Sequence, residues 1–258
     1  MSATPSSRSS QSSLSAANRP AAVDLSHTIE HGLVTYRGLP APVICDFLSR
    51  AASRAIYAPG TEFHIGKIEM VANTGTYVDS PFHRYENGRD LSQLDLQRLA
   101  DVEAVVVRCR PNAASSSSAA PDAAAPSTRA IDVAAIADLG LDLRGKAVLF
   151  DTGWDRHFAT DRYFSGHPFL TEEAARYLAA AQPAVVGIDS LNIDDTSGGM
   201  RPVHSLLLGS DIPIVEHLTQ LQQLPDEGSR FFAVPVKVKA FGTFPVRAFA
   251  LLPSAQAP

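Results

Sequence analysis

Cysteine, methionine and tryptophan are all scarce in this chain: two, three and one among 258 residues. Cys45 and Cys109 lie far apart and form no CxxC pair, so they read as reduced thiols of a cytoplasmic protein, with a bridge left open. Long apolar runs are missing; none approaches the length of a membrane span, and no membrane partner is expected. Basic runs and aromatic–basic stripes are absent and the formal charge of -5 is mild, which argues against nucleic acid. There is no internal repeat and no dinucleotide or phosphate-loop motif. The first twenty residues, MSATPSSRSSQSSLSAANRP, hold no acid and no apolar core, unlike a secretory signal. Residues 1–21 are therefore expected to be a disordered tail, and 22–258 a domain with ample material for a core.

What is present is a series of short apolar segments separated by turn signals. A first strand is expected over residues 22–27, then a Gly- and Pro-rich loop over 28–42, and an alternating strand over 61–71. A short helix or turn pair over 90–99 precedes a core strand at 102–109. Residues 111–129 are Ala/Ser/Pro low-complexity sequence and read as a disordered surface insertion. Residues 131–139 have helical spacing, and KAVLFD at 146–151 is a buried strand. Thr171 is placed to cap a helix that runs to Ala181, with Glu172 and Glu173 at its positive end and Pro183 to stop it. Strands are expected at 184–189, 212–215, 231–239 and 244–252, and a short apolar helix at 205–208 ending at Gly209.

The chemistry concentrates in residues 70–85, MVANTGTYVDSPFHRY. If the first half is extended, Asn73, Gly75, Tyr77 and Asp79 share one face, and Gly75 leaves a gap that a backbone, a ligand or an ion could enter. Ser80-Pro81 turns the chain, so that His83 comes back toward the same cavity. Spacing alone leaves two readings open: a reactive site at a strand end, or a strand running into a polar loop.

This stretch resembles the HxGTHxDxPxH signature of the cyclase family that includes bacterial kynurenine formamidases. It reads Asn73-Thr74-Gly75-Thr76-Tyr77-Val78-Asp79-Ser80-Pro81-Phe82-His83, so the Gly-Thr, the Asp, the Pro and the last His match, while Asn73 and Tyr77 replace two histidines. A second hallmark, a His followed twelve residues later by a Glu, is met by His204 and Glu216. The resemblance extends through the DLSH-type opening, the Thr152-Gly153-Trp154 segment and the His167-Pro168 pair. It implies an α/β domain of the swivelling β/β/α type, with a mixed-sheet core flanked by helices. It also implies metal ligation by Asp79, His204 and Glu216, general acid/base work by His83, and substrate contacts from Trp154, Arg37 and Tyr36. Each of those last three is equally readable as a surface or core residue.

In the family the two missing imidazoles are metal ligands, so their loss falls on the chemistry. Three Asp/His/Glu ligands still suffice for one divalent ion, manganese or zinc, with water completing its shell. The expected activity is hydrolysis of an amide or lactone of a small aromatic metabolite, as in the tryptophan catabolism that the family's formamidases serve. Two alternatives stand beside it. One is a metal-independent cyclase, dehydratase or isomerase in which Tyr77 and Asn73 polarise a carbonyl while His83 moves the proton. The other is a metabolite-binding protein without catalysis. The resemblance further implies a homo-oligomer, dimer or tetramer, and the partner is a small-molecule substrate.

Overall fold

Three parallel pairings at the centre of one nine-stranded sheet organise the chain. The computed structural model describes residues 20–110 and 129–253. The expected tail and Ala/Ser/Pro insertion therefore lie, apart from residues 20, 21 and 129, outside the described residues. In chain order the elements are β1 (Ala22–Asp24), β2 (Val43–Leu48), α1 (Arg50–Ser53), β3 (Ile65–Glu69), β4 (Tyr77–Asp79) and β5 (Val102–Arg108). They continue with β6 (Ala130–Ile131), α2 (Ala134–Ala137), β7 (Ala147–Asp151), β8 (Phe169–Leu170), α3 (Glu172–Ala181) and β9 (Val185–Ile188). The chain ends with α4 (Pro202–Gly209), β10 (Ile214–Glu216), β11 (Glu227–Phe232), β12 (Thr243–Pro245) and β13 (Phe249–Leu251). The large sheet has the order β1-β13-β11-β5-β7-β9-β10-β4-β12. Strands β5, β7, β9 and β10 run parallel and the flanking pairs antiparallel, giving a mixed sheet in a single α/β domain.

The central strands are continuous apolar runs because both of their faces are covered. Along β5, Val102, Ala104 and Val106 enter one core while Val105 and Val107 enter the other; β7 divides in the same way, with Leu149 on one side and Val148 and Phe150 on the other. Helices α3 and α4 cover the second face through Ala174, Ala175, Leu178, Val203 and Leu207. The first face is closed by turns and loops that carry Leu99, Leu218, Leu221 and Leu224. Helices α3 and α4 thus flank the mixed sheet on the second face.

Helix α3 shows how local and tertiary signals combine. Thr171 caps it, accepting from the Ala174 N–H, and Glu172 and Glu173 occupy its first turn. Loss of such a cap costs about 1 kcal/mol. Leu178 is fully buried, and its truncation to Ala costs about 2–5 kcal/mol. Core packing therefore holds the helix, and the cap sets where it starts.

Four sequence expectations are corrected. The segment over 61–71 does form a strand, but β3 pairs only with β2, in a separate two-stranded ribbon whose β3 residues are all exposed. The strand expected over 231–239 ends at Phe232; Val234 and Val236 alternate without being buried, at 43% and 59% exposure. The single strand expected over 244–252 is two, β12 and β13, on opposite flanks of the sheet. The helix expected over 131–139 shrinks to α2, with Ile131 drawn into the β6–β8 pair. Both cysteines are free thiols, and no helix among the described residues is long and apolar enough to cross a membrane.

Candidate active site

Register brings the acidic groups together. Strand β4 lies between β10 and β12, with Asp79 opposite both Ile214 and Thr243, and Tyr77 opposite Glu216. Val78 points into the core beneath the sheet, so Tyr77 and Asp79 share the other face. Only residues 77–79 of the motif are extended. Gly75 sits at a φ of +66° with Ile29 filling the space a Cβ would take, so its gap belongs to a side chain and not to a ligand.

Pro81 opens a single 3₁₀ turn, Pro81–His83, that swings His83 back over the strand end. The Thr243 hydroxyl donates to Asp79 Oδ1, so its contact with His83 Nδ1 at 2.8 Å must be received from the ring. His83 therefore carries its proton on Nδ1 and keeps a lone pair on Nε2. Gly242 lies directly beneath: a Cβ there would stand 2.6 Å from the His83 backbone.

His204 is set by Asp194. That carboxylate accepts the backbone N–H groups of Val203 and His204 at the start of α4, and His204 Nδ1 at 2.7 Å. Nε2 is then turned toward Asp79 Oδ2 at 3.6 Å and Glu216 Oε1 at 3.7 Å. Burial alone would lower the His204 pKa, but the Asp194 hydrogen bond and the nearby Asp79 and Glu216 carboxylates together raise it. The field at this point favours a positive charge.

Glu216 is fully buried with both carboxylate oxygens hydrogen-bonded. It accepts from Ile193 N at 2.7 Å on one oxygen and from the Tyr77 hydroxyl at 2.6 Å on the other. Tyr36 joins this network, donating to Leu191 O at 2.5 Å and lying 3.4 Å from the Tyr77 hydroxyl, while Asn192 donates to Tyr36 at 2.8 Å. Burial, and after it the Glu216 charge, hold both phenols well above their ordinary pKa, so they remain donors. Burial pushes Glu216 upward too. Replacing Tyr77 by Phe should destabilise the protein by about 1–3 kcal/mol, the cost of leaving a buried acceptor unpaired. A urea melt with an unchanged midpoint would show that the phenol contributes nothing there.

A divalent ion fits this donor set. Asp79 Oδ2 is buried with no hydrogen-bond partner, and it faces the free Nε2 of His204. Ligand atoms of Asp79, His83 and His204 all lie within 4.8 Å of one another. Oxygen and imidazole donors suit zinc or manganese, and the Asp194–His204 contact is the outer support such ligands require. Glu216, expected as the third ligand, is not part of this group of three, although its Oε1 lies 3.7 Å from His204 Nε2.

The remaining expected residues disperse. Tyr77 is 1% exposed with its hydroxyl on Glu216. Asn73 is half-buried and takes no part in the network just described. Trp154 packs with Tyr163 and Leu191 in a satellite core, its Nε1 donating to Tyr163 O. Arg37 pairs with Asp161 at the surface, 4.9 Å above the Phe164 ring. Asn192, Asp194 and Thr243 were missed. The one available signal was the polar run SLNIDD directly after a strand of apolar residues, where α/β sheets place ligands.

Behind Glu216 lies an imidazole pair of different character. His27 stacks on Phe158 at 3.6 Å, and His217, fully buried, meets the Tyr163 hydroxyl at 2.8 Å. Burial lowers His27 to about 4, against a smaller opposing pull from Asp155, and pushes His217 well below its usual range. His27 then takes up a proton on unfolding throughout the interval from its unfolded value of about 6.5 down to about 4. Its contribution should therefore weaken as pH falls across that window. Relative to a His27→Phe variant, the parent should lose about 1–3 kcal/mol between pH 6.5 and pH 4, after allowance for partial exposure. Parallel stability–pH curves for the two proteins would contradict this.

The half-exposed face of His83 and the edge of His204 open into a cleft of about 510 Å3, walled by Arg84, Asn192, Met200, Arg201 and Leu206. Comparison with known proteins gives this site a lineage. Residues 23–195 match the Cyclase family. A kynurenine formamidase of Erythrobacter litoralis is 26% identical over 179 residues, covering 69% of this chain and 73% of its own. An isatin hydrolase of Roseibium aggregatum is 29% identical over 199 residues, covering 71% and 73%. Among solved structures, isatin hydrolase A from Labrenzia aggregata bound to benzyl benzoate superposes with a TM-score of 0.73 at 22% identity, covering 90% of this chain and 93% of that one. With the family match extending over most of the chain and the same fold in its solved neighbours, this protein belongs to the Cyclase family.

Proposed function

We propose that this protein is a hydrolase of non-peptide C–N bonds, acting on a small aromatic amide in the manner of the kynurenine formamidases and isatin hydrolases it is similar to. The observation that carries the reading is the convergence of Asp79, His83 and His204, with Asp79 Oδ2 left free and the two histidines lining a cleft. Asp79 and His204 are the residues we assign to one divalent ion, with Glu216, whose Oε1 lies 3.7 Å from His204 Nε2, adding negative charge. When bound, such an ion polarises a carbonyl and lowers the pKa of a water. His83 is assigned to proton transfer: Nδ1–H is anchored on Thr243 and Nε2 is free to take a proton from water and return it to the leaving amine. The Tyr77 hydroxyl proton is committed to Glu216, which disfavours the metal-free reading built on Tyr77.

The test is metal content by mass spectrometry and turnover of an N-formyl arylamine on the same preparations, in the parent and in His83→Ala. About one ion per chain in both proteins, with turnover only in the parent, supports the assignment. Loss of the ion from the variant makes His83 a ligand instead. A parent that folds, holds no metal after reconstitution and turns over no amide refutes the hydrolase reading.

A homodimer built on the β2–β3 ribbon is part of the same proposal. Phe47, Ile56, Phe63, Ile65 and Ile68 are 75%, 65%, 53%, 45% and 56% exposed along this one projecting segment. An isolated two-stranded ribbon is marginal in water, so a partner surface is needed to cover it. Ile68→Asp with Phe47→Asp should convert a dimer to a monomer in light scattering. A parent already monomeric at micromolar concentration removes the dimer from the reading.

A further inference from the structure

Two arginines in the cleft have no use in the chemistry above. Arg84 follows His83 directly, and Arg201 immediately precedes α4, which carries His204. Both line the cleft. Their hydrogen bonds go to neutral groups: Arg84 Nε to Ser205 Oγ at 3.2 Å, and Arg201 Nη1 to the backbone oxygens of Asp195, Gly198 and Met200 at 3.1, 2.8 and 2.7 Å. Neither forms an ion pair among the described residues. Glu172, the acidic side chain on the cleft wall, is bonded to Arg176 on its own helix.

The two are also linked. Ser205 Oγ donates to the Arg201 carbonyl at 2.8 Å while receiving Arg84 Nε. Tyr85 ties the segment after His83 to the same turn, donating to Ser205 O at 2.8 Å, with the Arg84 guanidinium 5.3 Å over its ring. These contacts hold the guanidinium groups in place and leave Arg84 Nη1 and Nη2, and Arg201 Nε and Nη2, without partners among the described residues. Two fixed, unpaired cations in a concave wall that also carries Met200, Pro202 and Leu206 form a receptor for a planar anion beside an apolar body. The chain is acidic overall, so attraction for an anion is local to this wall.

We propose that Arg84 and Arg201 are specificity residues that bind a substrate carboxylate, so that the preferred substrates are aromatic amides bearing a carboxylate arm. The proposal rests on the amide-hydrolase reading of the same site, and its test separates the two. Turnover of N-formylanthranilate and of uncharged formanilide is measured on the full-length, metal-reconstituted protein, with anthranilate binding followed by calorimetry. The parent should show a KM at least about tenfold lower for the anionic substrate. In Arg84→Gln and Arg201→Gln the ratio of the two KM values should collapse toward one, with kcat for the anionic substrate changing less than KM. Anthranilate affinity should fall at least about tenfold in the same variants. Lys at either position should restore part of the preference, since charge returns without the fork. Circular dichroism establishes that each variant is folded.

Equal KM values in the parent, a ratio unmoved by the Gln variants, or anthranilate that binds equally to parent and variants overturns the proposal. The last result would mean that the carboxylate sits on the ion alone. If the parent hydrolyses neither formamide, the hydrolase reading falls, and the calorimetry alone decides the arginines.

Discussion

On the proposed assignment, Asp79→Asn should leave the protein folded but without bound metal and without turnover. The substitution keeps shape and removes charge at a group that is fully buried. Oδ1 accepts from Thr243, a contact the amide oxygen can retain, while Oδ2 faces His204 Nε2 with no other partner. An amide N–H₂ in that place would offer donors where a cation has to bind. Changes to outer-shell partners of a metal site already cost about 10–100-fold, so loss of a direct ligand should exceed about a hundredfold in turnover. Metal content should fall from about one ion per chain to a small fraction of that after dialysis. A folded Asn variant that retains both the ion and its activity would remove Asp79 from the proposed metal site.

Gly242→Ala is the second change expected to have a large effect, and it touches no reactive atom. The Ser80 amide and hydroxyl both bond to the Gly242 carbonyl, at 2.7 and 2.9 Å, which clamps the turn that carries His83 onto the segment before β12. A Cβ on Gly242 would meet His83 Cα and N at 2.6 Å, and neither backbone atom can rotate away. Overpacking of this kind costs about 1–3 kcal/mol. Displacement of a positioned group by about 1 Å costs on the order of a hundredfold in rate. Gly198→Ala serves as the comparison, because a Cβ there meets open space. The first variant should lose turnover and melt earlier, and the second should melt within about 0.5 kcal/mol of the parent. Matching behaviour of the two would mean that His83 is not held by this contact.

Parts of the fold that rest on local chemistry were readable from the residues alone. Thr171, Glu172, Glu173 and Pro183 mark both ends of α3, and the continuous apolar runs mark β5, β7 and β9 as strands buried on both faces. Errors arose where pattern and packing part company. Val234, Val236 and Val238 alternate as a strand does, yet among the described residues no neighbouring strand pairs with them. Ile65 and Ile68 lie in a ribbon that pairs with no other strand among the described residues. In the site, Asp79, His83, His204 and Glu216 were singled out, and three of them converge as ligand candidates. The role of Tyr77 was not readable, because whether a phenol faces a cleft or a carboxylate depends on the β4–β10 register. Asp194 and Thr243 were hidden for the same reason: a supporting residue is recognised by what it touches, and its contacts lie ten to 164 positions away.

That separation has a kinetic consequence. Strand β4 emerges early in synthesis, but its two sheet neighbours, β10 and β12, belong to the last quarter of the chain. Tyr77 and Glu216 are 139 positions apart, and Asp79 and Thr243 are 164 apart, so closure entropy is paid before either contact is gained. In refolding, recovery of metal binding should lag behind the parallel core of β5, β7 and β9, which joins shorter loops. On the ribosome, the nascent protein would carry Asp79 and His83 for most of its elongation with neither Glu216 nor Thr243 yet made. The reactive centre is thus among the last parts of the molecule to be completed, and a chain that stops short of β12 lacks the Thr243 that anchors Asp79 and His83.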